Sequence, residues 1–180
     1  MINIPILLTM ARILTVPFLV SAILGQQFAW AVSLLVFAAL TDLLDGALAR
    51  FLGQETALGA YLDPVADKLL VVACYGALMS IDTPYFAIPR WFIILVLVRE
   101  LLILVGAAYW GLFKHALPIA PTVLGKVTTA VQLLFIGFLL LVALLQITIP
   151  LLFSLLLAGV AGCVAVSLID YICIAYKRVG

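Results

Sequence analysis

The stretch TDLLDGALARFLGQETALGAYLDPVADKLL, residues 41–70, carries four aspartates in an otherwise apolar chain. Asp42 and Asp45 are three residues apart, and Asp63 and Asp67 are four apart, so each pair shares one face of a predicted helix. The short loop between the two helices makes them antiparallel neighbours and brings the pairs together. Four facing carboxylates repel one another unless cations intervene, so the pattern predicts a site for two divalent ions, Mg²⁺ or Mn²⁺.

Small residues and an arginine accompany these aspartates. Gly46, Ala49 and Gly59 leave room beside the carboxylates for a bulky ligand or for another backbone. Arg50 offers a planar, forked cation that suits a phosphate or a diphosphate. A single aspartate near a helix end is commonly incidental, but four at helical spacing with these neighbours indicate a metal-dependent diphosphate site.

The composition is that of an integral membrane protein. Of the 180 residues, 68% are hydrophobic and 9% are charged, and the mean hydropathy is +1.40. Soluble domains are about 45–50% apolar and about 25% charged. The net charge of +1 gives no reason to expect a nucleic-acid partner. Cys74, Cys163 and Cys173 lie in apolar runs without the spacing of zinc ligands, so they are interpreted as packing residues.

Apolar runs of about 20 residues, the length that crosses a bilayer as a helix, recur along the whole chain. Breaks at glycine, proline and polar clusters predict an all-α integral membrane fold, a six-transmembrane-helix bundle that forms one domain over residues 1–180. The N-terminal run lacks a basic flank and a clear cleavage site, so it is interpreted as a retained span. The predicted spans are residues 5–25, 29–51, 59–80, 88–113, 121–146 and 149–176.

Basic residues are distributed unevenly between the two sides of this bundle. Six spans place both termini and the second and fourth loops on one side, which holds Arg12, Arg50, Lys68, Lys114, Lys126, Lys177 and Arg178. The opposite side has Arg90 alone among the bases of loops and span ends. By the positive-inside rule, both termini and the aspartates are expected to face the cytoplasm, with the protein in the cell (inner) membrane.

The pattern D-x2-D-G-x2-A-R-x8-G-x3-D-x3-D, residues 42–67, matches the signature of the CDP-alcohol phosphatidyltransferase family at every position. The resemblance extends along the chain through NIPILLTMARI, YLDPVADKLL, RELLI, LGKVTTAVQ and IDYICIAYKR. These segments look like the bacterial phosphatidylglycerophosphate synthases and their relatives, the CMP-forming cardiolipin synthases. The sequence therefore resembles one enzyme family over most of its length.

This resemblance implies a six-helix enzyme that cleaves a CDP-linked lipid, transfers its phosphatidyl group to an alcohol and releases CMP. The family's metal ligands match the four aspartates, and Asp67 also matches the base that removes the proton of the acceptor hydroxyl. The positions that hold the cytidine diphosphate match Gly46, Ala49, Arg50 and Gly59. The implied partners are CDP-diacylglycerol, a small or lipid alcohol acceptor and membrane lipid, with a homodimer left open.

Bases on three other predicted spans provide a candidate acceptor site. Arg99 and Glu100 lie deep in span 4, where a bare ion is costly, so both must face the bundle interior or a wet cavity. Lys126 and Arg12 are interpreted as further buried bases without an acidic neighbour in the sequence. Two interpretations stay open. In the first, Arg99 and Glu100 pair with residues on other helices and only fix the packing. In the second, Arg99, Lys126 and Arg12 form an electropositive pocket for an anionic acceptor.

The acceptor itself is ambiguous. The phosphatidylglycerophosphate synthases that this sequence resembles usually carry a second arginine seven residues after the glutamate, where this chain has Ala107. That difference favours phosphatidylglycerol, and so a cardiolipin synthase, whereas Glu100 favours glycerol-3-phosphate, which is the first choice. A small cation transporter is a third alternative, although its carboxylates would be expected near the bilayer midplane. His115, in the loop after span 4, is given no catalytic role.

Overall fold

The structure is a computed structural model that describes the backbone of residues 4–52, 57–113 and 123–179 and the side chains of residues 7–44, 65–106 and 123–174. Within this part, the chain forms six α-helices and no strand. They are α1 (Ile4–Leu24), α2 (Phe28–Leu52), α3 (Ala57–Ser80), α4 (Arg90–Phe113), α5 (Val123–Leu144) and α6 (Pro150–Val179). Each predicted span corresponds to one of these helices, so the all-α prediction is confirmed.

Three helices in the described part of the chain are long and apolar enough to cross a membrane. They contain the segments Leu7–Leu24, Val123–Leu144 and Pro150–Ile174. A shorter apolar stretch, Phe28–Leu44, lies in α2. These helices are apolar on nearly all sides, and many of their large side chains, such as Phe18 and Leu134, are exposed on the isolated chain. Such surfaces are those of a membrane protein, whose outer helix faces contact lipid.

The helices pack so that α1 lies against both α2 and α3, while α3 also contacts α4 and α5. On the other side of the bundle, α6 packs against α4 and α5, and α5 also contacts α2. The buried core runs between these helices and includes Leu19 of α1, Val71 of α3, Phe92 of α4, Leu139 of α5 and Val164 of α6. Helix α3 is therefore central. The predicted direct packing of α2 against α3 is not seen among the described residues, where α1 contacts both helices.

Two of the connections are built alike. Gln26 after α1 and Gln146 after α5 both have positive φ, at 54° and 56°. The backbone N–H of Gln27 donates to the carbonyl of Ala22, and that of Ile147 donates in the same way to Val142. A residue in the left-handed conformation followed by this long backbone bond is the Schellman ending of a helix. These tight turns make α1 antiparallel to α2, and α5 antiparallel to α6.

Candidate active site

Arg12 lies where α1 meets α2 and α3. Its side chain is only 1% exposed, and its Nη1 atom is 2.8 Å from Oδ1 of Asp42 on α2. The same Nη1 atom donates a hydrogen bond of 2.7 Å to Oδ1 of Asp67 on α3. A guanidinium buried among apolar helices requires acidic partners, and here they come from two other helices. The structure thus brings together the first and last aspartates of the motif.

A second group of charges joins α3 to α4. Lys68 donates a hydrogen bond of 2.9 Å to Oε2 of Glu100, whose side chain is 3% exposed. Arg99 pairs with the other oxygen of the same carboxylate. The remaining amino group of Arg99 donates to the carbonyl of Gly125 on α5, at 3.1 Å, and to the hydroxyl of Ser167 on α6, at 3.2 Å. Glu100 is therefore shared between two cations, one from each helix.

The two groups are continuous because Asp67 and Lys68 are adjacent in the chain. We call the combined set the polar layer. It contacts all six helices, since Gly125 of α5 takes part through its carbonyl. Its side chains are Arg12, Asp42, Asp67, Lys68, Arg99, Glu100 and Ser167. Opposite charges alternate along it, so buried ions are compensated from one side of the bundle to the other.

Several predicted site residues lie outside the described side chains. The side chains of Asp45 and Asp63 are among them, and so are the four positions assigned to the cytidine diphosphate, which are Gly46, Ala49, Arg50 and Gly59. Among the side chains that the structure describes, no group of three or more His, Cys, Asp or Glu residues is placed to hold a metal ion. The roles of these residues stay predictions.

The described carboxylates fit a divalent cation. Asp42 and Asp67 approach from separate helices and direct one oxygen each at a single cationic atom, Nη1 of Arg12. Carboxylate oxygens from two helices are the ligands that Mg²⁺ and Mn²⁺ accept. Both side chains are also partly open, at 44% and 33% exposed, so an ion and a substrate have access to them. Asp42 and Asp67 are thus suited to hold such an ion.

The three bases assigned to the acceptor have different surroundings. Arg12 and Arg99 are fully buried, as expected, and both pair with acids in the polar layer. Lys126, by contrast, is exposed, so the expectation that it is buried is wrong. It lies in the first turn of α5, whose buried face is formed by Thr128 and Gln132. Lys126 and Thr128 differ by two positions, which places them on nearly opposite sides of the helix.

Sequence reasoning missed two members of this region. The sequence places Lys68 only among the bases on one side of the membrane, whereas in the structure its side chain is 13% exposed and paired with Glu100. Its position next to Asp67 and the acid in the following span are the signals that point to this pairing. Gln132 is fully buried in α5, where its backbone carbonyl accepts a hydrogen bond from Tyr75, and no sequence pattern singled it out.

The described geometry agrees with the comparison to known families. The family model for CDP-alcohol phosphatidyltransferase matches residues 2–171 of the chain. The chain belongs to this family. It is therefore a phosphatidyltransferase, and the aspartates that Arg12 joins are the first and last of the motif in residues 42–67. The predicted family is confirmed, whereas the roles assigned to single residues in 41–70 stay predictions.

Relatives of this phosphatidyltransferase bear two different names. The CDP-diacylglycerol–glycerol-3-phosphate 3-phosphatidyltransferase of Salmonella choleraesuis (strain SC-B67) is 38% identical over 146 residues, which is 77% of this chain and 76% of the relative. The protein of the same name from Haemophilus influenzae is 38% identical over 142 residues. The probable cardiolipin synthase (CMP-forming) of Drosophila melanogaster is 34% identical over 75% of this chain and 46% of its own length. Both predicted subclasses thus occur among the relatives.

Proposed function

We propose that this phosphatidyltransferase moves the phosphatidyl group of CDP-diacylglycerol to glycerol-3-phosphate and releases CMP. The observation that carries the proposal is the 38% identity to enzymes named for that reaction, across about three quarters of this chain and of theirs. The cardiolipin synthases that match are 34–35% identical and are covered over about half of their length. Glycerol-3-phosphate is therefore the first acceptor to test.

The proposed metal ligands are Asp42, Asp45, Asp63 and Asp67, which together would hold two Mg²⁺ or Mn²⁺ ions. Support comes from the convergence of Asp42 and Asp67 on one cationic atom. Such ions, when bound, supply positive charge that neutralises a diphosphate. In the same proposal, Arg50 grips the diphosphate as a forked donor, while Gly46, Ala49 and Gly59 leave space for the nucleotide.

Asp67 is the proposed general base. Its carboxylate takes the proton of the acceptor hydroxyl while that oxygen forms a bond to the phosphatidyl phosphorus. The bond between this phosphorus and the bridging oxygen of the diphosphate breaks, and CMP leaves with the electron pair. Asp67 suits this role because its side chain is one-third exposed and is thus accessible to an acceptor.

Basic residues of the same region are proposed to attract the acceptor's phosphate. Arg99 and Lys126 are the candidates, one buried in the polar layer and the other exposed at the start of α5. Arg12 was assigned to the same role, but its position between two carboxylates suits it less to a second anion. Replacing Arg99 or Lys126 with a neutral residue is expected to raise the acceptor KM with little change in CDP-diacylglycerol binding.

We also propose that all six helices span the cell (inner) membrane, with both termini and the active site at the cytoplasmic face. The uneven distribution of basic residues supports this orientation. In a variant without Cys74, Cys163 and Cys173, single cysteines introduced at Gln54 and His115 should label from the cytoplasmic side. Cysteines at Gln27 and Thr83 should label from the opposite side, and labelling of position 54 from outside would contradict the arrangement.

A second candidate function is a CMP-forming cardiolipin synthase with phosphatidylglycerol as acceptor. It is favoured by Ala107, which stands where the phosphatidylglycerophosphate synthases usually have an arginine. Fewer cations beside the acceptor suit a lipid alcohol that carries its own phosphodiester better than a free phosphomonoester. The two functions share the donor, the metal and the base, and they differ only in the acceptor.

The test is CMP release by the purified protein, supplied with CDP-diacylglycerol, Mg²⁺ or Mn²⁺ and either glycerol-3-phosphate or phosphatidylglycerol. We expect turnover with glycerol-3-phosphate and none in excess chelator. Loss of a positioned base typically costs about 10²–10⁴-fold in rate, so Asp67→Asn should lower turnover by that factor. Asp82→Asn, at an exposed position between α3 and α4, is the matched control. Turnover with phosphatidylglycerol alone would favour the second candidate.

A further inference from the structure

Arg12 occupies the place where a bound cation would compensate the carboxylates. One nitrogen, Nη1, is 2.8 Å from Oδ1 of Asp42 and 2.7 Å from Oδ1 of Asp67. The two aspartates come from different helices, and each directs its Oδ1 atom at this one nitrogen. Arg12 thus acts as a cation held by the protein itself, at 1% exposure.

The same two oxygens cannot serve Arg12 and a divalent ion between them at once. Mg²⁺ binds carboxylate oxygen at about 2.0–2.1 Å, closer than the 2.8 and 2.7 Å contacts of Nη1, so an ion held by these two oxygens would compete with Nη1 for them. The two cations would also repel each other strongly at such short range in a partly buried site. Binding of a bridging ion therefore requires the guanidinium to move away from this position.

We propose that Arg12 is a positioning residue that holds Asp42 and Asp67 together in the metal-free protein and is exchanged for a divalent ion when the site is loaded. The inference rests on the proposed metal dependence. In the metal-free state, the guanidinium offsets the repulsion between the carboxylates and ties α1 to α2 and α3. The carboxylates therefore stay oriented for an ion, and the cost of displacing Arg12 offsets part of the free energy of binding that ion.

The proposal predicts an unusual direction of effect. Removing a cation that competes for the same oxygens should strengthen metal binding, whereas removing a residue that merely supports the fold should weaken it. Arg12→Met keeps the length and the apolar stem of the side chain but lacks the guanidinium. Arg99→Met is the matched control, because Arg99 is equally buried in the polar layer but contacts Glu100, Gly125 and Ser167 among the described residues.

The experiment measures Mn²⁺ binding to the purified full-length protein from the paramagnetic signal of free Mn²⁺, together with thermal unfolding with and without Mn²⁺. Coupling between two linked binding events is typically about 5- to 150-fold. The Mn²⁺ Kd of Arg12→Met should therefore fall by a factor in that range. Its metal-free Tm should lie below that of the wild type, and Mn²⁺ should raise its Tm more than it raises the wild-type Tm. Arg99→Met should show neither change in its response to Mn²⁺.

A second variant keeps the test valid if Arg12→Met does not fold. Arg12→Lys retains one positive charge but not the planar fork, so its Kd for Mn²⁺ should lie between those of the wild type and Arg12→Met. An unchanged or weaker Mn²⁺ affinity in the Arg12 variants, with normal binding by the wild type, would overturn the exchange alone. Absence of Mn²⁺ binding by the wild type would overturn the proposed metal dependence and the exchange with it.

Discussion

The middle and the C-terminal part of helix α3 are stabilised in different ways. Asp67 and Lys68, halfway along the helix, belong to the polar layer, whereas Tyr75, about 12 Å further along the helix, packs its ring edge-on against Phe92 of α4 with centroids 5.4 Å apart. Around Tyr75 lies an aromatic cluster that consists of Tyr75, Phe86, Phe92, Phe135, Phe138 and Phe153. The middle of α3 is thus held by paired ions, and the part nearer its C-terminus packs against aromatic rings.

This difference has an energetic meaning in a membrane. Lipid tails are about as apolar as phenylalanine, so the aromatic cluster gains close packing but little from leaving its surroundings. An ion without its partner, by contrast, is costly anywhere in the hydrocarbon region. We infer that the polar layer sets which helices are neighbours and how they are rotated, while the aromatic cluster adds stability with less specificity.

The largest effect is expected from Glu100→Gln. This change leaves Lys68 and Arg99 without the carboxylate that both contact. Removing one member of a buried ion pair typically costs about 3–5 kcal/mol, and a shared carboxylate should lie at the upper end of that range. Unfolding by sodium dodecyl sulfate in mixed micelles measures the loss. Glu100→Asp, which keeps the charge, is the control, and equal losses in both variants would show that the charge is not what matters.

A smaller effect is expected from Phe92→Ala in the aromatic cluster. Phe92 is fully buried and contacts the rings of Tyr75, Trp91 and Phe135. Truncating a buried phenylalanine to alanine costs about 3–5 kcal/mol in a water-soluble protein. In a membrane the cavity is still left behind, but a side chain gains little on moving from lipid into the core, so we expect a loss of stability of about 2 kcal/mol. Phe18→Ala, at a position that is 67% exposed to the surroundings of the bundle, should change stability by far less. A loss above that of Glu100→Gln would reverse the comparison.

The smallest effect is expected from Gln132→Leu. Gln132 lies beside the aromatic cluster, where its backbone carbonyl accepts a hydrogen bond from Tyr75. Both polar atoms of its buried side chain lack a hydrogen-bond partner among the described residues. Replacing an unsatisfied amide by an apolar group of similar size should be neutral or stabilising by about 1 kcal/mol. Gln132→Ala, which leaves a cavity, should destabilise, and a clear loss in the leucine variant would indicate a polar role for this side chain.

The helices themselves were predictable from the sequence. The predicted spans 59–80 and 121–146 correspond to Ala57–Ser80 and Val123–Leu144, because apolar runs of sufficient length end at polar residues, glycine and proline. The direct packing of α2 against α3, expected from the short loop and the carboxylates at helical spacing, is not seen among the described residues, where α1 contacts both helices. The family follows from the same motif, because its residue types and spacings are rarely met together by chance.

Only the tertiary structure shows which ions meet. Arg12 lacks an acidic neighbour in sequence, yet its partners are Asp42 and Asp67, and Lys68 finds Glu100 across the α3–α4 contact. The exposure of Lys126 likewise depends on the rotation of α5 about its axis. In a soluble helix, an apolar stripe reveals that rotation, but in helices that are apolar on all sides the sequence carries almost no such signal. The rotation of each helix about its axis is set instead by the few buried charges, whose partners lie on other helices.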